Sequence, residues 1–235
     1  QALGTPDKTW KKCGSGEPVQ RISILGRKWL DEEAFELTCD RPEGFHFVAG
    51  QYVTLYHQGS ERDYTLVSPP EALELRFLIR RVAGGTLSGA LAELAPGAIL
   101  GMGRAKGYLI YQPSTERQVY FVATGVGIAP FVAMAAAGVQ GFTLIHGVRS
   151  VSGLFYRREL TMAASRYIPC LSGPIKPGTA LLDLQRGYVT DYIDRHLKPG
   201  LYDFYLCGSR AMIYDMTHLL DQHFPGTRIY SEAYS

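Results

Sequence analysis

Val119-Tyr120-Phe121-Val122-Ala123-Thr124-Gly125-Val126-Gly127-Ile128-Ala129-Pro130-Phe131 is the stretch on which the reading of this chain turns. An apolar run, Val119 to Ala123, meets Thr124 and two closely spaced glycines, then a proline and more apolar residues. That order predicts a strand, a tight loop and the start of a helix. Gly125 and Gly127 remove side chains where a flat or phosphorylated group would approach the backbone. Pro130 suits a first helical turn, where its missing N–H costs nothing. Open N–H groups at such a helix start attract an anion, so a nucleotide site is expected here. Two blander readings compete. The stretch from Val119 to Val139 carries no charge and has the length of a membrane span. Its glycines, Pro130 and Thr124 favour strand, helix and strand instead. A soluble domain without a nucleotide is the other.

The whole chain is compatible with that expectation. Its 235 residues fit one large domain or two small ones, with 46% apolar residues, 20% charged residues and a formal net charge of +2. No basic stripe points to nucleic acid. Cys13, Cys39, Cys170 and Cys207 lack metal-site spacing, so neither zinc nor an iron–sulfur cluster is expected. Residues 1–18 are polar, without an apolar signal segment, and read as a tail or linker. A cytoplasmic protein with no transmembrane segment is expected.

The two halves differ in rhythm. Arg21–Gly26, Ala34–Thr38, Gln51–Leu55 and Leu73–Arg80 suit short strands, with turns at Arg41–Gly44, Gln58-Gly59, Ser68–Pro70 and Pro96-Gly97. One helix, about Thr86 to Leu94, interrupts them. Short strands with one small helix predict an antiparallel barrel. The second half alternates. Strands are predicted at Val119–Ala123, Phe142–His146, Tyr167–Pro169, Tyr202–Leu206 and Arg228–Tyr230. Helices are predicted at Pro130–Ala137, Leu154–Ala163, Val189–Arg195 and Arg210–His223. That alternation predicts a parallel sheet, with ligands beyond the carboxyl ends of its strands. Gly125–Gly127 and Cys207–Ser209 both fall at such ends. The boundary is expected near Gln112–Arg117.

The barrel half carries its own candidates. In Arg62-Asp63-Tyr64-Thr65, an arginine suited to phosphate, an aromatic suited to stacking and a hydroxyl lie within four residues. The bland alternative makes Tyr64 a core residue and Arg62 a solvated charge. Gly84-Gly85-Thr86-Leu87-Ser88 opens the helix; its glycines permit close backbone approach, and Thr86 and Ser88 cap or bind oxyanions. Arg80 and Arg81 add charge just before it. The alternative is an ordinary turn and N-cap. Two phosphate-ready sites in different halves fit a flavin facing a nicotinamide.

Taken in order, these motifs resemble the ferredoxin–NADP reductase superfamily, over almost everything from about residue 19 to 235. The resemblance implies a two-domain β plus α/β fold: an FAD-binding antiparallel β-barrel over 19–112, then a parallel-sheet NAD(P)-binding domain over 113–235. It implies that Tyr64 stacks on the isoalloxazine, that Arg62 binds flavin phosphates, and that Thr65 replaces the usual serine near N5. Gly85 and Ser88 match the pyrophosphate-binding segment. Ser68, Arg80, Gly84 and Thr86 complete the flavin set. Thr124-Gly125-Val126-Gly127-Ile128-Ala129-Pro130 matches the nicotinamide loop, and Gly147-Val148-Arg149 the end of the second parallel strand. Cys207-Gly208-Ser209 with Met212 matches the cysteine–glycine segment, which puts Cys207 near the nicotinamide C4. Glu232-Ala233-Tyr234 is similar to the plant-type carboxyl end, where a glutamate supports the active site and an aromatic covers the flavin. Cys207, Glu232 and Thr65 are thus the catalytic candidates. The histidines form no metal or triad spacing, although His146 stands at a strand end.

The activity so implied takes hydride from NAD(P)H onto FAD and passes electrons to a protein acceptor, such as a ferredoxin or a partner redox domain. Any iron–sulfur group lies on another polypeptide or domain. FAD is expected over FMN because the Gly85–Ser88 cradle suits a pyrophosphate. NADH is expected over NADPH, since Gly173 follows Leu171-Ser172 where an arginine for the 2′-phosphate is usual; Lys176 and Arg186 are the nearby cations. The alternatives are a nucleotide-binding regulatory or assembly subunit and a free-flavin reductase.

Overall fold

Periodicity divides the molecule as it divides the sequence. The computed structural model describes residues 19–175, 178–179 and 183–234. The expected tail over 1–18, with Cys13, lies outside them, as do Lys176 and Ser235. Among the described residues, two six-stranded sheets follow one another along the chain.

The first sheet is antiparallel and holds β1 (Gln20–Trp29), β2 (Ala34–Asp40), β3 (Tyr52–His57), β4 (Ser60–Thr65), β5 (Glu74–Arg80) and β6 (Ile99–Met102). Its order is β4-β3-β6-β1-β2-β5. Alternation drives the curl: in β2, Phe35, Leu37 and Cys39 point into the core while Glu36, Thr38 and Asp40 point outward. The sheet closes toward a barrel where Leu66, just past β4, bridges Phe77 of β5. The Val67 N–H adds a bond to the Arg76 carbonyl at 2.9 Å. Helix α1 (Thr86–Glu93) covers one end with Leu87 and Leu91. Strands β4 and β6 lie beyond the four predicted. Ser-Glu-Arg-Asp-Tyr-Thr has no apolar alternation, and the four-residue β6 is too short to show any.

The second sheet is parallel, ordered β10-β9-β8-β7-β11-β12. Its strands are β7 (Gln118–Thr124), β8 (Thr143–Val148), β9 (Arg166–Leu171), β10 (Gln185–Arg186), β11 (Tyr202–Ser209) and β12 (Arg228–Tyr234). A 3₁₀ turn, Gly125–Ile128, leads from β7 into α2 (Ala129–Ala136). The other helices are α3 (Arg157–Ala163), α4 (Val189–His196) and α5 (Arg210–His223). Apolar packing covers both faces of this sheet: Phe121, Phe131 and Phe142 lie in one cluster, Ile145, Phe204 and Met216 in the other. That explains its nearly unbroken apolar strands. Helix α3 starts three residues later than its apolar pattern predicts. Leu154 and Phe155 precede Tyr156, which sits in the left-handed region at φ 53° and forms the N-cap.

Strand order reverses at β7. The chain steps from β7 outward to β8, β9 and β10, then returns to β11 on the other side. The carboxyl ends of β7 and β11 therefore flank the crevice expected of such a reversal. The two domains share one apolar core, since Ala34, Ala49, Val67, Leu78 and Leu109 of the first half pack in the same cluster as Phe131, Met134 and Phe155.

Candidate functional site

Two large cavities meet at the Thr124–Val126 turn. The first, about 1070 Å³, is lined from the barrel by Arg62, Asp63, Tyr64 and Thr65, by Arg80, by Gly85–Ser88 and by Arg104–Tyr108. The second domain contributes Val126 and Ser231–Tyr234. The second cavity, about 1030 Å³, is lined by Thr124, Gly125, Gly147, Arg149, Ser172, Tyr188, Ser209 and Met212, and by Asp31, Glu32 and Glu33 of the barrel. Arg80 lines both.

The β4 strand sets the first wall. Arg62 is exposed, Tyr64 is half-buried against the barrel core, and Thr65 is buried. Tyr64 thus packs on the core and also lines the cavity; burial pushes its hydroxyl up to about 12. At the opposite wall, Gly85 precedes α1, whose opening N–H groups donate to no side-chain cap. The Ser88 hydroxyl accepts instead from the Val82 N–H at 3.2 Å, and the Thr86 hydroxyl accepts from Ser60 at 3.3 Å. A Cβ at Gly85 would lie 2.8 Å from Ser88 Oγ and 3.1 Å from the Val82 carbonyl oxygen. The turn is a cradle that any side chain at 85 would fill, with backbone donors left open, and it fits a phosphate group. An arginine, an aromatic wall, a phosphate cradle and this volume together fit a dinucleotide-sized flavin.

Strand β12 runs to Tyr234, four residues beyond its predicted end, and this brings the carboxyl-terminal candidates in. Register places Glu232 beside Cys207 and Tyr234 beside Ser209. The Tyr234 hydroxyl donates to Thr65 Oγ1 at 3.1 Å, joining the two domains. Cys207 is buried, its thiol in hydrogen-bonding contact with Tyr234 and pushed well above the ordinary thiol range, chiefly by burial. It lies behind Tyr234 and lines neither cavity. Glu232 does line the first; burial, and then the charge of Asp63, raise its carboxyl to about 7.

Around the second cavity the glycines divide by task. Gly125 has φ +54°, lines the cavity and approaches Arg80. Gly127 faces protein: a Cβ there would lie 2.7 Å from the Cys207 carbonyl carbon and 2.9 Å from Gly208 Cα. A Cβ at Gly208 would strike the Thr124 side chain, and one at Gly147 would meet Val189 at 2.8 Å. These glycines let α2, α4 and the strands close up. Thr124 Oγ1 accepts from the Ser209 N–H at 3.2 Å, and Ser209 Oγ caps α5 by accepting from the Met212 N–H at 3.2 Å. Pro130 is buried in the first turn of α2. Ser68 is buried, with its hydroxyl accepting from the Arg76 N–H at 3.2 Å, and lines neither cavity. Gly84, at φ +75°, makes the turn before Gly85.

Three elements of the site go beyond those expected from the sequence. The acidic turn Asp31–Glu33 reaches the second cavity from the barrel, with Glu33 paired to Arg80 at 3.7 Å. The Arg104–Tyr108 segment edges the first; its cation–glycine–aromatic run, Lys106-Gly107-Tyr108, was the available signal. Glu36 joins the domains by accepting from Tyr156 at 2.6 Å and from Arg76 at 3.3 Å. His146 touches no cavity.

Comparison with known proteins agrees with this geometry. An oxidoreductase FAD-binding domain model matches residues 30–111, and an oxidoreductase NAD-binding domain model matches residues 121–218. Ferredoxin–NADP reductase B of Sorangium cellulosum is 33% identical over 177 residues, covering 67% of this chain and 70% of that protein. The chain belongs to the ferredoxin–NADP reductase superfamily. The electron transfer component of toluate 1,2-dioxygenase from Pseudomonas putida is 34% identical over 217 residues, covering 86% of this chain. The chain spans 63% of that component's length. A ferredoxin NADP⁺ reductase from Neisseria gonorrhoeae, solved with bound FAD and NADP, has the same fold, with a TM-score of 0.79 at 21% identity over 91% of this chain and 98% of that one. This superfamily member thus carries an FAD-binding and an NAD(P)-binding domain, and among its described residues no helix is long and apolar enough to cross a membrane.

Proposed function

We propose that this protein is an NAD(P)H-dependent FAD reductase module, with a flavin domain over 19–112 and a nucleotide domain over 113–235, that delivers electrons to a redox protein. The observation that carries the reading is the meeting of two dinucleotide-sized cavities at one turn, with Arg80 lining both. A bound flavin accepts an electron pair from a nicotinamide and releases electrons singly. Arg62 and the Gly85–Ser88 turn would hold its phosphates, Tyr64 its ring, and Thr65 would present a hydroxyl at the ring's edge. Tyr234 covers Cys207 and screens the meeting point from water. Glu232, with its raised carboxyl, is suited to hold a proton near neutrality. On the nucleotide side, Thr124, Gly125, Arg149 and Ser209 would receive the dinucleotide.

The reading takes NADH as the donor, and two features of the nucleotide domain support it. A Cβ at Gly173 would strike the Arg149 carbonyl, so the backbone leaves no room there for a phosphate-binding side chain. Asp31, Glu32 and Glu33 add negative charge to the lining of the second cavity. The acceptor is a protein carrying a one-electron centre, such as a ferredoxin or a separate iron–sulfur domain, in line with the electron transfer component among the relatives. The test is to release the pigment with acid, identify it by chromatography, and then follow bleaching of the bound flavin by NADH and NADPH in stopped flow. FAD, bleached faster by NADH, is the expected result. FMN or no flavin defeats the reading. Bound flavin that neither donor bleaches indicates a nucleotide-binding regulatory or assembly subunit, and flavin lost on gel filtration indicates a free-flavin reductase.

A further inference from the structure

We infer that His146 is a positioning residue for the dinucleotide site: it holds the Gly125–Val126 peptide in one orientation, with Tyr167 bracing the far side of its ring. The inference rests on the second cavity being the NAD(P) site. His146, in β8, is wholly buried, and each ring nitrogen has one partner. Nε2 lies 3.2 Å from the Gly125 carbonyl oxygen, and Nδ1 lies 2.9 Å from the Tyr167 hydroxyl. A carbonyl oxygen only accepts, so Nε2 bears the proton. Burial lowers the imidazole to about 4 and keeps it neutral, which leaves Nδ1 as an acceptor for the Tyr167 O–H. The relay has a single direction: Tyr167 donates to His146, and His146 donates to Gly125.

The peptide at its end needs such a hold. Gly125 stands at φ +54° and has no side chain to restrain it. A trans peptide is planar, with its C=O and N–H pointing opposite ways. With the Gly125 oxygen fixed on His146, the Val126 N–H points away from the imidazole. This peptide lies where the cavities meet, since Gly125 lines the second and Val126 the first. Rotated the other way, it would present a carbonyl lone pair to the dinucleotide and leave Nε2–H buried without a partner. His146 lines neither cavity, so its effect passes through the backbone.

Three variants separate this role from general packing. His146→Leu removes both bonds. His146→Gln keeps an amide N–H to donate toward Gly125. Tyr167→Phe removes the donor to Nδ1 and keeps the Nε2–H bond to Gly125. The readouts are NAD⁺ affinity by calorimetry on the flavin-loaded protein, flavin content as a check on the barrel, and the His146 tautomer by ¹⁵N NMR. The wild type should show the Nε2-protonated form. His146→Leu should bind NAD⁺ about tenfold more weakly at unchanged flavin content, and His146→Gln should stay within about threefold of wild type. Tyr167→Phe, which leaves Nδ1 buried without its donor, should weaken binding about threefold. An Nδ1-protonated wild type, or equal affinity in His146→Leu, overturns the inference. Should His146→Leu fail to fold, unchanged affinity in Tyr167→Phe overturns it. A wild type that binds no NAD⁺ defeats the dinucleotide reading as well; NAD⁺ binding indifferent to His146 defeats this inference alone.

Discussion

Cys207 is buried in apolar surroundings and pushed away from ionisation, so its thiol is no nucleophile near neutrality. Under the proposed function, its place beside Tyr234 would have it shape the packing behind the surface that a nicotinamide meets. Cys207→Ala is expected to keep its flavin while the limiting rate of reduction by NADH, read in stopped flow, falls by as much as about 100-fold. An unchanged rate with a lowered melting temperature returns Cys207 to the core. The buried histidine and carboxylate make opposite pH predictions. His146, at about 4 against an ordinary 6.5, contributes stability that is complete above pH 6.5 and lost as pH falls through 4, about 3 kcal/mol in all. Glu232, raised to about 7 from 4.5, contributes stability that is complete below pH 4.5 and lost as pH rises through 7. Denaturant titrations of wild type and His146→Gln between pH 4 and 7 should therefore diverge in slope below 6.5, and parallel curves count against the histidine assignment. His146 was visible in the sequence only as a histidine at a strand end; its partners were not.

At the scale of elements, the site depends on how tightly 3₁₀ turn, helix and strand close. Gly127 brings the turn before α2 onto the backbone of Cys207 and Gly208, where no side-chain rotation relieves an added methyl. Gly127→Ala is expected to destabilise the fold by about 3 kcal/mol, read as a lowered urea midpoint. Gly26→Ala in β1 meets nothing within 4 Å and should stay within about 0.5 kcal/mol of wild type. The strand–loop–helix order of 119–131 was legible because an apolar run, two glycines and Pro130 impose it locally. What fills the space at Gly127 was not: a glycine announces a close approach, but the approaching group, here β11 rather than a ligand, comes from distant sequence. Strand β4 was hidden for a related reason, because its pairing with β3 and its cavity side, rather than a buried alternation, make it extended.

Over the whole molecule, the two domains are held by a shared apolar core and by long-range bonds that include Tyr234 to Thr65 and Tyr156 to Glu36. Tyr156 takes a left-handed backbone to reach Glu36, and burial and the neighbouring carboxylate hold its hydroxyl protonated. Tyr156→Phe leaves Glu36 with Arg76 alone. It is expected to cost about 1–2 kcal/mol in thermal or urea unfolding and to slow flavin reduction by NADH several-fold at unchanged flavin content. An equal reduction rate would show that this bond does not set how the domains meet. The sequence by itself determined the two classes of sheet, the loop at Gly125 and the residue types suited to phosphate and ring, because periodicity and backbone sterics act over a few neighbours. Only the tertiary structure decided that Arg80 serves both cavities, that Glu232 and Tyr234 enter the site along an extended β12, and that Tyr156 and His146 brace the domains and the loop. These partners stand 21 to 169 residues apart in the chain, and no local pattern specifies which of many chemically suitable side chains folding will bring within hydrogen-bonding distance.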